Sequence, residues 1–226
     1  MMLSDVMEDY LKVIYQLERD RDERIRTSEI ADDLDVTSPT VTSMVEKLEE
    51  RGLLDREKYN GVTLTQEGET VAIEVVRHHR LLEAYLAEHL DYDWAEVHEE
   101  ADRLEHYISE NFEERLAAAL GDPDVDPHGS PIPGADLEAP CSRPGESVGE
   151  FKAGDTVVVE EVADDDPDVL SYLADRGVEP DVELEILERA PFGMITARAA
   201  GSDRTISLPE DVAAHVRVRR PIDVDR

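Results

Sequence analysis

The stretch TSEIADDLDVTSPTVTSMVEKLEERG, residues 27–52, decides the fold. After Thr27-Ser28-Glu29, with Thr27 as the expected N-cap, Ile30, Ala31 and Leu34 mark a short helix. Asp35-Val36-Thr37 turns the chain. A second helix is predicted over 38–51, with Pro39 in its first turn and Val41, Met44, Val45 and Leu48 on its buried face. Gly52 stops it. Upstream, Met7, Tyr10, Leu11, Ile14, Tyr15 and Leu17 recur at helical spacing. Downstream, residues 53–56 and 61–65 are short β-type runs around Lys58-Tyr59-Asn60-Gly61, where Asn-Gly signals a turn. Helix, helix-turn-helix and hairpin together predict a winged helix-turn-helix.

Residues 66–120 read as nearly continuous helix, 67–90 and 94–120, broken at Asp91-Tyr92-Asp93 and divisible near Ser109-Glu110-Asn111. Leu81, Leu82, Tyr85, Leu86, Leu104, Ile108 and Leu116 offer more apolar surface than two lone helices bury, which predicts a helix-mediated homodimer. Residues 121–147 alternate Pro with Gly and Asp and read as an irregular connector. Period-two runs follow at 156–162, 182–187, 194–198, 204–208 and 215–218, with a short helix over 167–177. Short strands at regular spacing predict a small barrel. The expected class is mainly α with a small β domain, divided as 1–70, 71–146 and 147–226.

Of 226 residues, 56 are acidic and 23 basic, a formal net charge of −33. The acid is spread along the chain, which predicts a uniformly acidic surface of the kind found in proteins of salt-loving organisms. Cys141 is the single cysteine, so no intrachain disulfide forms. No run is long and apolar enough to span a membrane, and the first residues lack a basic, then apolar, leader; a cytoplasmic protein is expected.

The chemistry concentrates in His98-Glu99-Glu100-Ala101-Asp102-Arg103-Leu104-Glu105-His106. On one helix, His98, Asp102, Glu105 and His106 would share a face. His79 and Glu83 repeat the i,i+4 spacing, and Asp9 lies on the first helix. These oxygen and nitrogen donors suit Mn²⁺, Fe²⁺, Co²⁺ or Zn²⁺. The plainer reading is a solvated acidic helix with incidental histidines. No His-Glu-x-x-His, Gly-x-Ser-x-Gly or phosphate loop appears, so nothing points to catalysis. A metal-binding enzyme, a metal-buffering dimer without DNA binding and a dimer with unused histidines are the competing readings. In the second helix of the helix-turn-helix, Thr37, Ser38, Pro39, Thr40, Thr42 and Ser43 can dock to phosphates and base edges. A simple capping sequence would look the same. Basic residues are few there: Arg24, Arg26, Lys47, Arg51, Arg56 and Lys58. The net charge opposes DNA at long range, so binding needs local basic contacts, high salt or bound cations.

The whole arrangement resembles the metal-dependent repressors of the diphtheria-toxin-repressor and manganese-transport-regulator type. The marks are Met7-Glu8-Asp9-Tyr10-Leu11, Ala31-Asp32-Asp33-Leu34 through Pro39-Thr40-Val41-Thr42, Leu64-Thr65-Gln66-Glu67-Gly68 and His78-His79-Arg80-Leu81-Leu82-Glu83. The stretch from Val97 to His106, and His128-Gly129-Ser130-Pro131-Ile132-Pro133-Gly134, complete them and are the most specific. The resemblance implies a homodimeric repressor that binds a palindromic double-stranded operator when metal-loaded and controls metal-ion uptake. It implies an SH3-like (FeoA-like) C-terminal barrel. It implies an activating site of Asp9, Asp102, Glu105 and His106, and an ancillary site of His79, Glu83 and His98, for which Asp166 and Asp168, within Asp165-Asp166-Pro167-Asp168, are the candidate additions from the C-terminal domain. DNA contacts carry over to Thr37, Ser38, Pro39, Thr40, Thr42, Ser43, Lys47 and Lys58. Iron-responsive members place Met and Cys where this chain has Asp9 and Asp102. Manganese-responsive members place carboxylates there, with a further glutamate at the position of Lys12, and usually lack the C-terminal domain. The ligands therefore imply Mn²⁺, with Fe²⁺ the alternative, on an iron-type layout.

Overall fold

The computed structural model describes residues 3–19, 21, 23–140, 145–163, 166–191, 193–201 and 204–221. Asp165 and Cys141 lie outside them. The chain divides into two compact units. The first is Met1–His79, Arg103–Glu113 and Pro133–Pro140; the second is Arg80–Asp102, Glu114–Ile132 and Cys141–Arg226. The helical segment expected over 71–146 contributes to both.

In the first unit, α1 (Asp5–Glu18), α2 (Thr27–Asp33) and α3 (Ser38–Glu50) precede a hairpin of β1 (Leu54–Glu57) and β2 (Gly61–Leu64). Leu11, Ile14, Ile25, Ile30, Val41, Val45, Leu48 and Val62 are fully buried and pack with Ala72, Ile73 and Val76 into one core. Of these, Leu11, Ile14, Ile30, Val41, Val45 and Leu48 are positions that the helical periodicity singles out. Two local expectations need correction. Arg26 is the N-cap of α2 and Thr27 already lies inside the helix, while Glu29 reaches back to the Arg26 amide at 2.9 Å. In the wing, the Asn60 amide bonds the Glu57 carbonyl, so Lys58 and Tyr59 are the central turn residues and Tyr59 takes φ 71°. Asn60-Gly61 is thus not the turn centre. Gly61 instead meets the segment before α2: Ile25 bridges Val62, and a Cβ on Gly61 would come within 2.4 Å of the Ile25 carbonyl oxygen.

Helix α4 (Gln66–Leu90) runs from the first unit into the second, followed by α5 (Val97–Leu104) and α6 (Glu110–Leu120). The remaining elements belong to the second unit: β3 (Glu146–Ser147), β4 (Thr156–Val162), α7 (Pro167–Ala174), β5 (Glu183–Arg189), β6 (Ile195–Ala199), β7 (Thr205–Leu208), α8 (Glu210–Ala214) and β8 (Val216–Arg219). All sheet pairings are antiparallel, in the order β3-β8-β4-β5-β6-β7. The expected small β domain is present, but the described pairings leave β3 and β7 as its two ends and do not close a barrel. Register shifts between Val159 and Glu161, and between Ile186 and Glu188, bend the sheet. Its alternating face buries Val157, Val159, Val162, Leu184, Ile186, Ile195 and Ala197 against Leu170 and Leu173 of α7. Among the described residues, no helix is long and apolar enough to cross a membrane.

Candidate metal centres and nucleic-acid interface

The helix expected through His106 ends at Leu104. Glu105, His106 and Tyr107 form a turn, closed by the Tyr107 amide on the Leu104 carbonyl at 3.0 Å. The four residues from His98 to His106 therefore do not share one helical face. The turn re-aims Glu105 and His106 toward α1. In the first unit, Asp9, Glu105 and His106 each bring one ligand atom to within 4.8 Å of the others. His106 Nε2 lies 2.9 Å from Asp9 Oδ1 and 3.5 Å from Glu105 Oε1. Its Nδ1 lies 2.7 Å from Glu8 Oε2. Beside this group, Tyr107 donates to Asp5 at 2.5 Å, which holds the Asp5 carboxyl below its usual range.

The charges at this group act in both directions. Burial raises the Asp9 pKa, and the neighbouring Glu105 charge adds to it against the opposing pull of His106 and Lys12. For His106, burial acts downward, but the hydrogen bond its ring donates to Glu8 and the charges of Glu105, Asp9 and Glu8 outweigh it, so the pKa rises. Glu105 is 2% exposed. Its Oε2 faces Lys12 Nζ at 2.8 Å and His79 Nδ1 at 2.6 Å. Two carboxylates and an imidazole around one point are a donor set for a hard or borderline divalent cation. Glu8, bonded to the other ring nitrogen, orients the imidazole as outer partners of metal-bound histidines do.

A second group stands in the second unit. Glu83, on α4, is fully buried and lies 3.1 Å from His98 Nδ1. Glu83, Asp126 and His128, all buried, form a further group with ligand atoms within 4.8 Å of one another. His128 Nε2 donates to the Trp94 carbonyl at 2.9 Å, and its Nδ1 lies 3.6 Å from Glu83 Oε2. Asp126 Oδ1 accepts from the His128 and Ser130 amides at 2.8 and 3.0 Å. Its Oδ2 lies 3.5 Å from Arg80 Nε. The loop is fastened to β4, since the Val162 amide donates to the His128 carbonyl at 2.9 Å. Gly129 makes this approach possible: at φ +88°, a Cβ would stand 2.0 Å from the Glu160 carbonyl oxygen.

The expected ligands thus distribute unevenly. Asp9, Glu105 and His106 come together in the first unit, where His79 also meets Glu105. Glu83 and His98 come together in the second. Asp102 lies in the second unit, its carboxylate 3.5 Å from His98 Nε2 and 47% exposed. Asp166 is the N-cap of α7: its Oδ1 accepts from the Asp168 and Val169 amides at 2.9 and 3.2 Å. It falls in none of the candidate groups among the described residues. Asp126 and His128 were absent from the sequence-based ligand set. Their signal was an imidazole one proline away from an aspartate, Asp126-Pro127-His128, inside a segment that reads as mere connector.

The N-cap Thr37, with Ser38, Pro39, Thr40 and Ser43 in the first part of α3 and Lys47 in its last turn, are exposed. Thr37 caps the helix by backbone conformation alone, and its hydroxyl pairs with that of Thr40 at 2.9 Å. Thr42 is half-buried and turns its hydroxyl back to the Ser38 carbonyl at 2.9 Å. Lys58 and the 93% exposed Tyr59 form the wing tip, the ammonium 5.2 Å from the ring centre. Arg24 is engaged by Asp55 and Glu57, and Arg56 by Glu46.

Comparison with known proteins covers the same ground. The model of the iron dependent repressor N-terminal DNA binding domain matches residues 2–62. That of the iron dependent repressor metal binding and dimerisation domain matches 65–134, and the FeoA domain matches 147–220. The iron-dependent repressor IdeR of Mycobacterium tuberculosis is 35% identical, over 96% of this chain and 98% of its own length. The diphtheria toxin repressor of Corynebacterium diphtheriae is 32% identical, over 96% and 97%. A solved manganese-dependent transcriptional repressor in complex with manganese superposes with a TM-score of 0.87 at 38% identity, covering 95% of this chain and 100% of that one. A manganese-dependent relative therefore spans the C-terminal segment as well, and the three-part layout does not separate iron from manganese types.

Proposed function

This chain belongs to the family of metal-dependent transcriptional repressors, as a DNA-binding regulator with a metal co-repressor, and from that premise we propose that Mn²⁺, with Fe²⁺ as the alternative, is its effector. The observation that carries the proposal is the convergence of Asp9, Glu105 and His106, since Asp9 and His106 meet across 97 positions of sequence. A divalent ion held there supplies a charge that two carboxylates and an imidazole share. This chain's residues do the rest. Asp9 belongs to α1, whose other face is buried in the core that holds α2 and α3. Tying Asp9 to the turn after α5 restrains α1 and, through that core, the exposed head of α3.

In this reading Asp9, Asp102, Glu105 and His106 form the activating set, Asp102 by family position. Glu83 and His98 form the ancillary set with His79, and we add Asp126 and His128. The metal performs no chemistry. Carboxylates at positions 9 and 102, without thiolate or thioether, favour the harder ions. Thr37, Ser38, Pro39, Thr40, Thr42, Ser43, Lys47 and Lys58 provide the DNA face, for a palindromic operator read by a dimer. The parts are 1–70 for DNA, 71–146 for metal and dimerisation, and 147–226 for the C-terminal domain.

The test is anaerobic titration with Mn²⁺ and Fe²⁺, read by operator binding in molar salt, where the −33 charge is screened. Mn²⁺ should raise operator affinity about a hundredfold, the upper range of allosteric coupling. Equal affinity with and without metal would sink the reading. Failure to retain DNA at any salt would leave a metal-buffering protein in its place.

A further inference from the structure

Lys12 is 8% exposed, unusual for a lysine. It stands one helical turn from Glu8 and three residues from Asp9 on α1. Its ammonium reaches Glu105 Oε2 at 2.8 Å and His79 Nδ1 at 3.0 Å. The other Glu105 oxygen, Oε1, faces His106. One buried carboxylate is thus shared between the candidate metal group and a tethered cation. We propose that Lys12 is a built-in competitor for the metal, an ammonium on the Glu105 carboxylate that sets the metal concentration at which the first site fills. The inference rests on the metal-dependent reading above and adds a residue to it.

The physical argument is one of charge. Glu8, Asp9 and Glu105 gather around His106, and a carboxylate as buried as Glu105 is costly without a positive partner. Lys12 supplies that partner from within the chain and keeps the acidic group assembled. A divalent ion entering between Asp9, Glu105 and His106 meets a unit charge of the same sign a few ångströms away, already bonded to one of its ligands. Repulsion at such a range in a poorly solvated site is large. The ion binds by loosening the ammonium from Glu105, so the protein responds at a higher metal concentration than its donors alone would set. An aliphatic or neutral side chain at this position removes the competitor and leaves the donors in place.

The experiment is Mn²⁺ titration of the full-length protein in molar salt, with free Mn²⁺ read by electron paramagnetic resonance. Lys12→Met and Lys12→Gln should bind Mn²⁺ at the first site at least tenfold more tightly than wild type. Lys12→Arg, which keeps the charge, should stay within about threefold of wild type. The gain should vanish when Asp9→Ala is added, which assigns it to this site. Unchanged or weaker binding in both neutral variants overturns the proposal. Should neither neutral variant fold, as circular dichroism would show, the Mn²⁺-loaded wild-type structure decides. Lys12 Nζ beyond ion-pair range of Glu105, about 4 Å, upholds the competition, and a retained pair refutes it. Normal metal-dependent operator binding with unaltered Lys12 variants discards this inference alone. Wild type that binds operator regardless of metal discards the reading beneath it.

Discussion

The two candidate metal groups are built from similar donors in opposite ways. Asp9, Glu105 and His106 join a helix near the N-terminus to a turn, and Asp9 keeps 41% of its side chain exposed. Glu83, Asp126 and His128 are enclosed, with side chains 0% exposed and the loop fixed by Trp94, Ser130 and β4. The first is open on one side and shares Glu105 with a lysine. The second is enclosed, and one nitrogen of its imidazole is already committed to the Trp94 carbonyl. An open group whose partners come from distant segments suits a switch, because occupancy changes what holds α1. An enclosed group suits a tie that stabilises its unit whether or not DNA is bound.

That contrast predicts a split between paired variants. Asp9→Ala should cost about a hundredfold of the Mn²⁺-induced gain in operator affinity, while thermal unfolding of the metal-free chain shifts by no more than about 0.5 kcal/mol, as for an ordinary partly exposed position. Glu83→Gln should cost about tenfold in operator affinity, roughly 1.4 kcal/mol, and should also reduce the thermal stabilisation that Mn²⁺ confers. Calorimetry beside operator binding separates the two. If Glu83→Gln proves the more damaging to DNA binding, the roles are reversed.

The groups should also differ in their response to pH. The His106 pKa is raised in the folded chain despite burial, by the Glu8 hydrogen bond and the Glu105, Asp9 and Glu8 charges. Protonated His106 therefore adds stability that is fully present below the unfolded value of about 6.5 and is lost as pH rises through the higher folded value. Metal binding runs the other way, because the ion needs the neutral ring. First-site Mn²⁺ affinity should fall about tenfold per pH unit once the pH drops below the folded value, with one proton released per ion bound in that range and none above it. Affinity that stays flat from pH 8 to pH 6 would show that His106 is not a ligand.

Legibility in the sequence followed physical range. The three N-terminal helices, the hairpin and most strands of the small domain could be placed because apolar periodicity and turn residues act locally. The first-site donors were legible as residue types, but their arrangement was not. Glu105-His106-Tyr107 carries no Gly or Pro, so nothing local signals that α5 ends at Leu104. Asp126 and His128 were hidden because a ligand on an irregular segment has no period to betray it; the segment's close approach to β4 is what places them. Lys12 was legible as a departure from the family's pattern, but its burial on Glu105 is a tertiary fact. The short elements β3 and α8 were missed for want of enough residues to show a pattern.

The smallest expected effect concerns Asp166, which the structure places as a helix cap. This carboxylate and that of Asp126 both accept two backbone amides through one oxygen, Asp168 and Val169 for the former, His128 and Ser130 for the latter. They differ in what surrounds them. Asp126 turns its second oxygen toward Arg80 within a buried group that includes Glu83 and His128. Asp166 stands at the head of α7, with Pro167 in the first turn. If Asp166 is a helix cap and no ligand, Asp166→Ala should cost about 1 kcal/mol of stability, because α7 seats Leu170 and Leu173 in the core of the second unit. Asp166→Asn retains the accepting oxygen and should restore most of that loss. Metal analysis after dialysis should give the same Mn²⁺ content for both variants and wild type. A loss of bound Mn²⁺ in Asp166→Asn, with stability intact, would make Asp166 a ligand, because that change removes the charge and keeps the cap.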